Sequence, residues 1–260
     1  MKIRAAAVAG AFYEADQDRL RRHLASMLAG AGGRGEIRPK VLIVPHAGYI
    51  YSGAVAAQAY GTLAPVAADI TRVVLFGPAH RVPLEGMAVP DVDAFVTPLG
   101  TVPLDREFIQ AACALPGVCI SNEAHRLEHS LEVQLPFLQT LLGEFTLVPV
   151  VVGHCDAPTV AAVMDALWGG PETLLVVSTD LSHFNSYEDA CALDTRTCTR
   201  LLQRDHALNG RDACGAYALN GLMSSIHCKS LAMEKLAMCN SGDTAGSKDR
   251  VVGYGAFVLH

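Results

Sequence analysis

Four short apolar runs, each followed within a few residues by a histidine, constrain this chain more than any other feature. Lys40–Val44, Arg72–Phe76, Phe145–Val152 and Leu174–Val177 are rich in Val, Leu and Ile and do not alternate with polar residues. Such runs suit strands covered on both faces, because a half-exposed strand would show a polar residue at every second position. Helical patterns lie between them. Asp16–Leu28 carries Leu20, Leu24 and Leu28 on one face, and Ser52–Tyr60 is a second pattern. Leu131–Leu142 is a third, with Leu131, Leu135, Leu138 and Leu142 on one stripe; Pro136 must kink it or mark its true start. Tyr187–Gln203 and Gly215–Ile226 also read as helices, and Val251–Leu259 as a closing strand. Strands alternating with helices define an α/β architecture with a mostly parallel or mixed central sheet flanked by helices. A chain of 260 residues, 51% hydrophobic, can bury one large core, so residues 1–260 are expected to form a single domain. The glycine-rich stretch Ala29–Gly35 then joins a helix to a strand rather than separating domains.

The four runs end alike. They lead to Pro45-His46-Ala47-Gly48, to Gly77-Pro78-Ala79-His80, to Gly153-His154, and to Ser178-Thr179-Asp180-Leu181-Ser182-His183. In open α/β sheets ligands bind beyond the carboxyl ends of the strands, and Gly and Pro at these exits allow turns tight enough to bring the loops together. At least His46, His80 and His183 are therefore expected to meet at one site. Imidazole both ligates transition metals and moves protons near neutral pH. The competing reading is that such loops merely cap the sheet with hydrogen-bonding side chains.

Three further groups stay open on spacing alone. His129, within His125-Arg126-Leu127-Glu128-His129-Ser130-Leu131-Glu132, either faces the same crevice or belongs to a solvated helix start, where Glu128 and Glu132 favour the positive helix end. Asp180 either orients an imidazole through its second nitrogen or caps a following helix. Cys214 stands at the entry to the Gly215–Ile226 helix, where a thiol has a lowered pKa and acts more readily as thiolate ligand or nucleophile.

Composition narrows the partners. The formal net charge is −6 and there is no Lys/Arg block, which argues against nucleic acid or an acidic membrane surface. No apolar stretch approaches the roughly 18 residues needed to span a bilayer. Ala5–Ala11, after Lys2 and Arg4, is too short and too weakly apolar for a secretory signal, and Glu14, Asp16 and Asp18 follow at once. Eight scattered cysteines without a C-x-x-C pair read as thiols in a reducing compartment, the cytoplasm, with Cys113, Cys119 and Cys228 as small apolar fillers.

Several segments together resemble a known family. Val44-Pro45-His46-Ala47-Gly48-Tyr49, Gly77-Pro78-Ala79-His80, Glu128-His129-Ser130-Leu131-Glu132 with Leu135-Pro136, and Ser178-Thr179-Asp180-Leu181-Ser182-His183 look like the Memo family, whose microbial members are often labelled AmmeMemoRadiSam system protein B. The opening Val8-Ala9-Gly10-Ala11-Phe12-Tyr13 and the closing Val252-Gly253-Tyr254-Gly255-Ala256 match as well, so the resemblance runs nearly end to end. It implies a fold similar to class III extradiol dioxygenases, the non-haem iron enzymes that open catechol rings. It also implies a pocket lined by two histidines and a cysteine, which fall on His46, His80 and Cys214. His183 and Asp180, with His129, map to the family's conserved segments as acid/base or oxygen-orienting groups. His154 has no counterpart. The family label further implies company with a radical SAM protein.

The resemblance leaves the reaction to chemistry. Enzymes of the dioxygenase class hold iron(II) with two histidines and a carboxylate; a thiolate in that place is softer and more easily oxidised. Iron(II) is the first expectation for the metal, with copper or zinc as alternatives. Three functions compete: a metal-dependent redox enzyme acting on a small molecule, a non-catalytic metal- or peptide-binding protein using the same pocket, and a hydrolase or transferase with Cys214 as nucleophile beside His183 or His80.

Overall fold

The computed structural model describes residues 1–31 and 37–260; Gly32–Gly35 of the glycine-rich stretch lie outside the described residues. In the first half of the chain the strands are β1 (Ile3–Arg4), β2 (Val41–Val44), β3 (Arg72–Pro78), β4 (Met87–Val89), β5 (Ala94–Thr97), β6 (Gly100–Pro103) and β7 (Val118–Ile120). The second half adds β8 (Thr146–Val152), β9 (Thr173–Ser178), β10 (His183–Asn185), β11 (Met233–Asn240) and β12 (Val251–Leu259). The main sheet runs β10-β12-β2-β9-β3-β8-β4-β7, with β11 also paired to β12, while β1, β5 and β6 form a separate small sheet. Its inner strands β2, β9, β3 and β8 are parallel, and their unbroken apolar runs are buried throughout apart from the first residues of β3 and β8. Antiparallel pairing of β12 with β2 and of β4 with β8 makes the sheet mixed.

The helices α1 (Gln17–Ala29), α2 (Tyr49–Tyr60), α3 (Arg106–Cys113), α4 (Asn122–Arg126) and α5 (His129–Glu132) precede α6 (Leu135–Leu141), α7 (Ala157–Ala166), α8 (Tyr187–Leu202) and α9 (Ala216–Ser224). Among the described residues no helix is long and apolar enough to cross a membrane. The Leu131–Leu142 pattern is broken in two, and Pro136 sits in the first turn of α6, where a missing N–H leaves no helical bond unmade. Cys228 is buried and Cys113 partly so, but Cys119 is exposed, contrary to its reading as a filler. It lies on β7, an end strand of the main sheet that pairs with β4 alone among the described residues.

The N-terminal segment is fastened by charge. Arg4 pairs with Glu132 and donates to the carbonyls of His125 (3.0 Å) and Glu128 (2.6 Å). Glu132 also accepts from the N–H groups of Ala7 (2.8 Å) and Val8 (3.0 Å) and from the Tyr13 hydroxyl (2.6 Å). This anchors the turn that carries Phe12, whose carbonyl accepts the Tyr49 N–H at the start of α2.

His125, 1% exposed, lines a cavity of about 500 Å³ beneath this segment. Its Nε2 bonds the Ala88 carbonyl at 2.9 Å, while Nδ1 has no hydrogen-bond partner. Burial, opposed by the Ala88 bond, holds its pKa down at about 4, against 6.5 for a free imidazole. The unfolded chain therefore takes up this proton first, and stability on the order of 3 kcal/mol is lost as pH falls from about 6.5 to about 4. His125→Gln, which keeps a donor for Ala88, is expected to lose less stability over that window. Urea unfolding of both proteins at its two ends checks this, and equal losses would refute it.

Candidate functional site

The carboxyl ends of β2, β9 and β3 lie side by side, and His46 and His80 leave the first and last of them. His129 comes in from above on α5. These three imidazoles converge: ring centroids are 5.1 Å apart for His46–His80, 5.5 Å for His46–His129 and 4.8 Å for His80–His129. Each offers a nitrogen within 4.8 Å of the other two.

Hydrogen bonding fixes which nitrogen is free. The Ser178 hydroxyl, at the end of β9, donates its one proton to the Ser130 carbonyl at 2.6 Å. Its oxygen must then accept both from Gln134 Nε2 (2.8 Å) and from His46 Nδ1 (2.9 Å), so His46 carries its proton on Nδ1 and presents a lone pair at Nε2. His80 is set the same way. Its Nδ1 lies 3.0 Å from Glu128 Oε1, and its backbone N–H donates to Oε2 at 2.6 Å. Burial works against the Glu128 charge, but these bonds and the Ser130 N–H hold its pKa at about 2. An ionised carboxylate only accepts, so His80 Nδ1 carries the proton and Nε2 is free. His129 Nδ1 is buried and, although 3.3 Å from Glu128 Oε1, makes no hydrogen bond.

Burial also favours the neutral form of two of the three imidazoles. It pushes His46 well below the ordinary imidazole range and His129 down to about 4, with mutual repulsion among the imidazoles adding to both. Neutral imidazole is the form that ligates metals. Two lone pairs aimed by side chains behind them, beside a third imidazole with an unsatisfied buried nitrogen, suit a transition-metal ion.

Cys214 meets the cluster at one point. Its Sγ is 3.2 Å from His46 Nε2 and accepts the Asp180 N–H at 3.2 Å. Two donors at about 2.1 and 2.3 Å from a tetrahedral ion would be separated by about 3.6 Å, close to this spacing. The expected lowering of its pKa is overturned. Burial, helped by the Asp180 charge, pushes the thiol up to about 12, outweighing the helix start at Gly215.

Asp180 neither orients an imidazole from behind nor caps a helix. It accepts the backbone N–H of His46 at 2.7 Å, its Oδ2 lies 3.9 Å from His46 Nε2, and the chain continues into β10. Burial raises its pKa to about 7 despite the N–H bonds from His46 and Ala47. The orienting role belongs to Ser178 and Glu128. Glu128 also caps α5 through the Ser130 N–H, as its helix-start reading expects, but it is buried rather than solvated, and Glu132, at the far end of α5, pairs with Arg4 instead. His183 opens β10 at the opposite flank, outside the tight group, but it lines a pocket of about 410 Å³ together with His129, Asp180, Phe12, Tyr51 and Arg250. Burial lowers its pKa too. His154 leaves β8, beyond β3 from the cluster; its side chain is 70% exposed and pairs with Glu85 at 3.0 Å.

A mixed sheet flanked by helices, with a parallel centre and histidines at the exits of β2 and β3 on either side of β9, defines an α/β protein with an imidazole cluster at its carboxyl edge. An uncharacterized protein from Escherichia coli K12 of known crystal structure shares the fold, with a TM-score of 0.52 and 12% identity over 84% of this chain and 98% of that one. The family described as Memo-like protein matches residues 4–258, and the chain belongs to it. A MEMO1 family protein of Aquifex aeolicus is 35% identical over 270 residues, and one of Methanopyrus kandleri 34% over 280, each alignment covering 98% of both chains.

Proposed function

We propose that this protein is a metal-dependent oxidoreductase acting on a small molecule in the 410 Å³ pocket, with His46, His80 and Cys214 holding the metal. The observation that carries the reading is the pair of Nε2 lone pairs, each aimed by a fixed hydrogen bond at Nδ1. Iron(II), or copper or zinc in its place, would supply Lewis acidity when bound, and the first two electron transfer as well. The chain's own residues do the rest. Cys214 adds a soft donor beside His46, and Asp180 fixes the loop that carries His46. His183, kept neutral by burial, takes a proton from a substrate hydroxyl, and His129 orients the reacting group from the other wall. The eight free thiols support a reducing compartment, the cytoplasm.

The test is metal content after preparation without oxygen, followed by cobalt(II) substitution. Near-stoichiometric metal and a near-ultraviolet thiolate-to-cobalt band, lost in Cys214→Ser, are expected. Stoichiometric cobalt without that band would assign the third position to His129. Substrate-dependent oxygen uptake across oxidisable small molecules distinguishes an enzyme from a metal-binding protein without turnover.

A further inference from the structure

We propose that the pocket beside the imidazole cluster selects a small aromatic acid, with Arg250 recognising its carboxylate. The proposal names a substrate class for the site read above, and it stands on the pocket wall rather than on the metal.

Arg250 lines the same pocket as His129, Asp180 and His183. Its guanidinium lies over the Phe184 ring, 4.9 Å from the centroid, and among the described residues it makes no hydrogen bond and has no carboxylate within 4.0 Å. Arg250 is exposed at the pocket rim, whereas Arg4, Arg72 and Arg200, which are buried or half-buried, each hold a carboxylate, and Arg204 is held by the Leu231 carbonyl. A planar guanidinium lying over a ring keeps its fork of N–H donors available, and that fork matches a carboxylate in two parallel bonds. The acid in the pocket, Asp180, does not compete for it, because its oxygens are taken by the His46 and Ala47 N–H groups.

The support under Arg250 is unusual. Phe184 is 61% exposed and has φ of 61°, a left-handed conformation that residues with a β-carbon seldom adopt. The pairing of β10 with β12 shifts register at this same point, between His183 and Asn185. Strained backbone of this kind concentrates at ligand clamps. Here it sets His183 in the pocket wall and Phe184 beneath Arg250. Phe12 and Tyr51 provide aromatic surface in the same pocket, and the Phe12 ring sits 4.7 Å from that of His129. A volume of about 410 Å³ is at the small end of ligand sites, suited to a single substituted ring.

Benzoate and benzamide, nearly equal in shape and different in charge, test this by calorimetric titration of the full chain, both as purified and after chelation. Benzoate is expected to bind at least about tenfold tighter than benzamide. Arg250→Gln should abolish that preference while leaving metal content unchanged, and Tyr51→Ala should weaken both ligands. Equal binding of the two by the wild type, no binding of either, or a preference that survives Arg250→Gln would overturn the proposal. A preference lost only in His46→Ala/His80→Ala would do so too, since the carboxylate would then be binding the cluster. Failure of metal loading with the Arg250-dependent preference intact would instead sink the oxidoreductase reading alone.

Discussion

Arg4→Ala is expected to lower the free energy of unfolding by about 3–5 kcal/mol, because it strands a buried carboxylate. The side chains of Arg4 and Glu132 are 5% and 0% exposed, and Glu132 would be left with only neutral donors around it. The truncation also leaves the carbonyls of His125 and Glu128 without their guanidinium donors. Glu132→Gln removes the charge and keeps an acceptor, so the double variant should lose less than the two single losses combined. Chemical denaturation of the four proteins measures this coupling. A loss below about 1 kcal/mol for Arg4→Ala would mean that water reaches Glu132. Because the same carboxylate fastens the turn bearing Phe12, the pocket wall beside His129 should loosen along with the fold.

His46→Ala/His80→Ala is expected to abolish metal retention while leaving a folded protein. Both nitrogens common to the candidate ligand sets are removed, and each side chain lies in a loop just past a strand end rather than within a strand. Glu128→Gln should act more gently, lowering metal affinity by about 10–100-fold, because the amide has one acceptor oxygen where the carboxylate serves both the backbone and the ring of His80. Competition against a chromogenic chelator resolves the series. Unchanged metal content in the double variant would remove the cluster from consideration.

The central strands were legible because burial on both faces leaves no reason for polar residues, and β12 was found with its exact ends. β11 was not. Most of its residues are only partly covered, so it lacks the unbroken apolar run that marks β2 or β9. Strands β4 and β7 are three residues each, too short for any period to show. For the site, strand exits pointed to His46 and His80 because chain direction alone brings parallel strand ends together. His129 comes from a segment whose helix-start chemistry was sufficient explanation in one dimension. Ser178 stood in one of the four strand exits but without a role, and nothing singled out Gln134: what they do exists only where β9, α5 and the loop after β2 cross. Cys214 drew a wrong electrostatic expectation, since helix position is visible in sequence and enclosure is not.

That crossing also fixes when order is imposed on the site. Gln134 bonds the Pro45 carbonyl at 2.9 Å and receives the Tyr60 hydroxyl at 2.9 Å, so the knot around Ser178 extends through α2 and α6 into the body of the protein. The rotamer freedom of His46 is lost when the chain folds, before any guest arrives. Metal uptake should therefore be fast and leave the backbone unmoved, with little entropy of its own to overcome. Stripping the ion should leave a shell that accepts it again without refolding.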